Sequence, residues 1–249
     1  MKVNKKLISL KQFNFRKKLY MKKMYNDKKL NNDKLKLYIK ADKYNFCYNN
    51  TWLGEPLLQT TDDIIAIQEI IFKTKPDVIL EIGVAWGGTF LLYDSLSKNI
   101  GIKKIIGVDT YIPNDLKKRL NQKIKNCSYK LINADSTSMK TIKKILNYIG
   151  NYKNILIHLD SDHTRDHVLK ELDLYSNLLR KGNYIVVSDT IIEYIPRQLH
   201  RLRNWEKGNN PKNAIDIFLK KNKNKFKIDE EINFKQLLTN NPKGYLYKI

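Results

Sequence analysis

Between residues 77 and 189 five short apolar runs alternate with helix-like segments, and this alternation constrains the architecture more than any other feature. The runs are DVILEIG (77–83), KKIIGVD (103–109), YKLIN (129–133), NILIHLD (154–160) and NYIVVSD (183–189). Short runs this rich in Ile, Val and Leu suit strands covered on both faces. Between them GTFLLYDSLS (88–97), residues 114–124, SMKTIKKILNYIG (138–150) and RDHVLKELDLYSNLLRKG (165–182) read as helices. DDIIAIQEIIFKT (62–74) adds a helix before the first run, with Asp62 or Thr61 as its N-cap. Strands each separated by one helix predict an α/β fold, a mostly parallel sheet with helices on both faces. A further helix from Pro211 and the strand-like FKID and GYLYKI predict an antiparallel edge at the C-terminus.

Composition sets the outer bounds. With 42% of 249 residues hydrophobic, the chain has enough apolar material for one cored domain. No apolar run approaches the roughly 20 residues that cross a bilayer, and the basic start lacks the form of a secretory signal. Cys47 and Cys127 have neither metal-ligand spacing nor a partner framework, so they read as reduced thiols of a cytoplasmic protein. The net charge of +22 is uneven: residues 1–30 hold eleven Lys and Arg against one Asp. Composition shifts near residue 50, which divides a basic extension (1–48) from a domain (49–249). Such an arm suits anionic lipid at the inner membrane face, an acidic polysaccharide or RNA, but equally a solvated tail or a helix packed on a sister subunit. With no RNA-binding module, nucleic acid is not the expected partner.

In an open α/β sheet, ligands gather beyond the carboxyl ends of the strands. The first strand delivers EIGVAWGGT (81–89), an acidic residue followed by a glycine-rich turn into a helix. Gly83, Gly87 and Gly88 there suit close approach of backbone to a ligand, or only close packing of helix on sheet. The spacing G-x-x-x-G-G departs from the dinucleotide fingerprint. Acidic residues after the first three strands (Glu81, Asp109 and Asp135) instead suit S-adenosylmethionine, whose ribose and amino groups need acceptors. The cofactor set is then Glu81, Gly83, Ala85, Gly87, Gly88, Thr89, Asp109, Asp135 and Ser136. The fourth and fifth strands end in Asp160 and Asp189. If these strands are neighbours, the two carboxylates suit Mg²⁺ or a similar ion, or else they cap local turns.

The run LDSDHTRDHVLKELDLYSNLLRKGNYIVVSDTIIE followed by WEKGNNPKNAIDIFL resembles the cephalosporin hydroxylase/rhamnosyl O-methyltransferase family. Members share L-D-S-x-H-T-x-x-H-V-L-x-E-L, then V-V-E-D-T, then G-N-N-P. The similarity runs from about residue 50 to the C-terminus and omits the basic arm. It implies a Rossmann-like class I methyltransferase fold, S-adenosylmethionine as cofactor, often a divalent metal, and sugar or specialised-metabolite hydroxyls as acceptors. Carried over by position, the metal ligands are Asp160, Ser188 and Asp189, with a neutral hydroxyl where the family has Glu. Asp162 or Glu193 then stands in for the missing carboxylate, or the ion binds only with substrate. No His/carboxylate facial triad of an iron oxygenase is present.

These readings predict methyl transfer to a sugar hydroxyl in surface polysaccharide or lipooligosaccharide synthesis. Asp160 and His163 carry the chemistry, His163 as general base or as a backbone-bonded residue at a helix start. His158 is expected in the core and His167 in a supporting role. Trp86, Asp162, Trp205 and Asn209 are the candidate substrate contacts. Self-association is expected. RNA methylation and a non-catalytic cofactor-binding relative are the competing readings.

Overall fold

Two helices open the described chain, residues 8–249 of a computed structural model: α1 (Leu10–Asn26) and α2 (Lys28–Asp42). Ser9 and Gln12 close a capping box on α1, and Asp27 ends it while accepting from the Leu30 N–H to start α2. A 3-10 turn at Phe46–Tyr48 leads to a two-residue ladder, β1 (Thr51–Trp52) with β2 (Glu55–Pro56). Next comes α3 (Thr61–Thr74), whose cap is Thr60, just upstream of the two residues the sequence suggested.

The alternating region follows: β3 (Val78–Ile82), α4 (Gly88–Ile100), β4 (Lys104–Asp109), α5 (Asn114–Lys123), β5 (Ser128–Asn133), α6 (Met139–Ile149), β6 (Ile155–Leu159), α7 (Arg165–Tyr175) and β7 (Tyr184–Val187). The chain closes with α8 (Pro211–Asn222), β8 (Phe226–Ile228), α9 (Glu230–Lys235) and β9 (Tyr245–Lys248). The helix expected over 165–182 stops at Tyr175 and tightens into a 3-10 turn at Ser176–Leu178. There Asn183 accepts from the Arg180 N–H, and Gly182 takes the left-handed backbone that turns the chain into β7.

The seven-stranded sheet runs β5-β4-β3-β6-β7-β9-β8. The first five in this order are parallel; β9 is antiparallel to β7, and β8 to β9, as the C-terminal pattern predicted. Strand β3 alternates between the two faces. Ile79 enters one core with Ile67, Ile71 and Phe90, while Val78, Leu80 and Ile82 enter the other with Ile145, Leu172 and Phe218. The chain proceeds outward from β3 through β4 to β5, then returns to the far side of β3 at β6. This reversal opens a crevice at the carboxyl ends of β3 and β6.

The basic extension is not separate from this body. Tyr38 of α2 packs with Ile191 and Ile195, joined by Leu35, Ile39 and Phe46. Helix α1 lies on α9, with the Tyr25 and Phe234 rings 4.8 Å apart and Lys18 3.3 Å from Glu231, leaving Leu10, Phe13 and Phe15 exposed. No described helix is long and apolar enough to cross a membrane.

Candidate active site

Strands β6 and β7 are neighbours, with Leu159 level with Val187, so Asp160 and Asp189 leave the sheet at one edge. The Asp160 N–H donates to Ile82 O at 2.7 Å, holding it beside the end of β3. Asp189 adopts a left-handed backbone, φ 57°, and its N–H donates to Asn241 Oδ1 at 2.9 Å. His163 comes from the loop before α7, its ring edge-to-face with Trp205 at 4.8 Å. Its Nε2 lies 3.2 Å from Asp189 Oδ2 and 3.9 Å from Asp160 Oδ1.

The ligating atoms of Asp160, His163 and Asp189 all fall within 4.8 Å of one another, the one such trio among the described residues. Burial raises the Asp160 carboxyl to about 6; His158 opposes the rise and the Asp189 charge adds to it. Two carboxylates with one imidazole this close are a suitable donor set for a small divalent cation.

Several residues expected at this site face elsewhere. Ser188 is buried, with Oγ 2.8 Å from His158 Nε2, so its hydroxyl faces away from the two carboxylates; His163 stands beside them instead. The cause is the turn at Asp189, which sends residue 188 inward and residue 189 to the cluster. Glu81 and Thr89 are buried under the glycine turn, where the Thr89 hydroxyl donates to Glu81 Oε2 at 2.8 Å. A Cβ on Gly83 would stand 2.0 Å from Asp160 O, and one on Gly88 2.3 Å from Pro56 O. Both glycines are required by packing inside the fold. Ser136 is buried and donates to Glu171 Oε1 at 2.6 Å, alongside Ser161 and His167.

Asp162 and Asn209 accept from the Thr164 and Arg165 N–H groups, so both organise the start of α7. Glu193 accepts from Gly208 N–H and Asn210 Nδ2, which ties it to the G-N-N-P turn and away from any ion. His158 is a core residue, as expected, within reach of Tyr93, Glu81 and Ser188. Burial pulls its ring pKa down, and Glu81 and Asp160 more than reverse this.

The remaining candidates follow the carboxyl ends of β3, β4 and β5. Asp109 accepts from the Val84, Ala85 and Tyr111 N–H groups at 2.8, 3.3 and 3.1 Å, pinning the turn that contains Gly87. Three of a carboxylate's roughly four acceptor sites are thereby filled. Asp135 is exposed, and the Thr137 N–H and hydroxyl hold its carboxyl below the usual range through Oδ1 alone. Trp86 stands exposed on the turn.

A cavity of about 260 Å³ opens at the trio, lined also by Ala85, Ser161 and Trp205. Several residues on and behind its wall were not anticipated. Gln59 donates to Asp160 Oδ2 at 2.9 Å, and Tyr38, Cys47 and Tyr48 of the extension line the wall with Arg201. No motif marks them; Gln59 sits in the segment that carried the family likeness, Tyr38, Cys47 and Tyr48 in the arm it omitted, and Arg201 between the two quoted motifs.

A parallel sheet in this order, with a glycine turn after its central strand and carboxylates at the switch point, defines the class: a Rossmann-like fold of the class I methyltransferase type. The family model of rhamnosyl O-methyltransferase/CmcI matches residues 44–249. This chain belongs to that family, as the quoted motifs implied. The rhamnosyl O-methyltransferase of Mycobacterium leprae is 31% identical over 149 residues, covering 59% of this chain and 63% of its own. That of Mycobacterium tuberculosis H37Rv is 28% identical over 200 residues, covering 80% and 78%. Two CmcI structures share the fold at 18% identity, each covering 81% of this chain and 77% of that one. An Mg–SAM form has a TM-score of 0.56 and an apo form 0.58.

Proposed function

We propose that the chain methylates a sugar hydroxyl with S-adenosylmethionine, in the assembly of surface polysaccharide or lipooligosaccharide, at the trio Asp160, His163 and Asp189. The convergence of these three side chains beside the glycine turn is the observation that carries the reading. S-adenosylmethionine, when bound, supplies the electrophilic methyl group. Asp109 and Asp135 each keep acceptor capacity for its ribose and amino groups.

Asp160, His163 and Asp189 would hold the divalent ion, which lowers the pKa of a coordinated hydroxyl. Gln59 fixes the orientation of Asp160, and Trp205 fixes the ring of His163. Where the two carboxylates alone would hold the ion, His163 Nε2, 3.2 Å from Asp189, is instead free to take the acceptor's proton. The names of the mycobacterial relatives support a saccharide acceptor.

Calorimetric titration with S-adenosylmethionine, paired with mass spectrometry of surface glycans with and without the chain, tests this. Cofactor binding and loss of one CH₂ increment from a sugar are expected. Absence of cofactor binding would defeat the reading.

A further inference from the structure

Two arginines line the same cavity as the trio, and both are laid against aromatic rings. The Arg201 guanidinium lies 5.3 Å from the Tyr48 ring centroid, and that of Arg203 5.5 Å from the Trp205 centroid. Arg201 pairs with Asp42 through Nη2, while its Nε is buried without a hydrogen-bond partner. Arg203 has no carboxylate within 4.0 Å among the described residues. A divalent ion would neutralise Asp160 and Asp189, and Asp42 already matches Arg201. The exposed Arg203 guanidinium therefore remains on this wall without a carboxylate counterpart.

Planar guanidinium groups held on aromatic faces are pre-organised forks for oxyanions. A phosphoryl group offers oxygens to both arginines at once, which a single carboxylate does less well. The cavity is also smaller than the ~300–1,000 Å³ usual for drug-sized ligands, so a larger acceptor must extend past this rim.

We infer that the acceptor sugar carries a phosphate, gripped by Arg201 and Arg203 while its hydroxyl lies at the trio. This rests on the methyltransferase reading and names its substrate class. Asp42 and Tyr48, both from the arm, hold Arg201, so the extension takes part in choosing the acceptor. Asp42 lies outside the family match.

The test is a titration of the full chain saturated with S-adenosylhomocysteine and Mg²⁺. Its probes are methyl rhamnopyranoside, rhamnose 1-phosphate and a nucleoside diphosphate rhamnose. The phosphorylated probes should bind about tenfold tighter or more than the neutral one. Arg203→Ala should remove most of that preference without changing S-adenosylhomocysteine affinity, and Arg203→Lys should keep part of it. Equal gains for both phosphorylated probes support recognition of one phosphate, as on a lipid-linked sugar. A gain confined to the second supports a nucleotide sugar. Binding of the neutral probe as tightly as the others, equal loss on all probes in Arg203→Ala, or no binding of either phosphorylated probe overturns the inference. Failure to bind S-adenosylhomocysteine instead removes the reading beneath it.

Discussion

Asp189 is a non-glycine residue in the left-handed region, where an ordinary side chain sits at a cost of about 1 kcal/mol or more. That conformation brings its carboxylate to His163 and turns Ser188 toward His158. The two neighbours therefore have separable roles. Ser188→Ala should cost about 1–3 kcal/mol by leaving buried His158 Nε2 unpaired, while Mg²⁺ affinity stays within about twofold; urea denaturation and calorimetry read the two effects. Asp160 gives a pH signature in the metal-free chain. Its folded pKa is raised above the unfolded value, so the folded state holds the extra proton and this group's contribution to stability falls as pH rises through about 6. Asp160→Asn removes that loss, so its melting temperature should gain on the wild type between pH 5 and pH 7. A gap independent of pH would contradict the assignment.

At the scale of elements, α2 and the segment after β7 form one unit. Asp42, at the end of α2, is buried and accepts from Gln198 and Arg201, with His200 Nε2 3.4 Å away. Asp42→Ala leaves Arg201 without its counter-charge and should cost about 3 kcal/mol in urea denaturation. It should also weaken acceptor binding, since Arg201 loses its anchor. None of this was legible in the sequence. The arm reads as charge because its lysines face solvent, and the few residues that reach the cavity, Tyr38, Cys47 and Tyr48, carry no periodic signal. The strands were legible for the opposite reason: β3, β6 and β7 are buried on both faces and read as unbroken apolar runs. The overlong prediction for α7 arose because Leu178 and Leu179 continue an apolar pattern after the backbone has turned.

For the whole molecule, sheet order turns five readable strands into one reaction edge. Periodicity gave which strand ends would carry acids, and the β6–β7 pairing brought Asp160 and Asp189 together as that placement required. Side-chain direction was not readable. Glu81, Thr89 and Ser136 lie at strand ends or turns yet point into the core, where they satisfy one another or Glu171. Ser188 does the same, and the histidine three residues after Asp160 completes the trio. The central claim is that this trio is the cation-holding reaction centre. Titration of Mg²⁺ into the chain loaded with S-adenosylhomocysteine tests it most directly. One site should appear in the wild type, weakened at least about tenfold by Asp189→Asn, since affinity follows ligand charge. Mg²⁺ binding that is absent from the wild type, or unchanged by Asp189→Asn, would contradict the account.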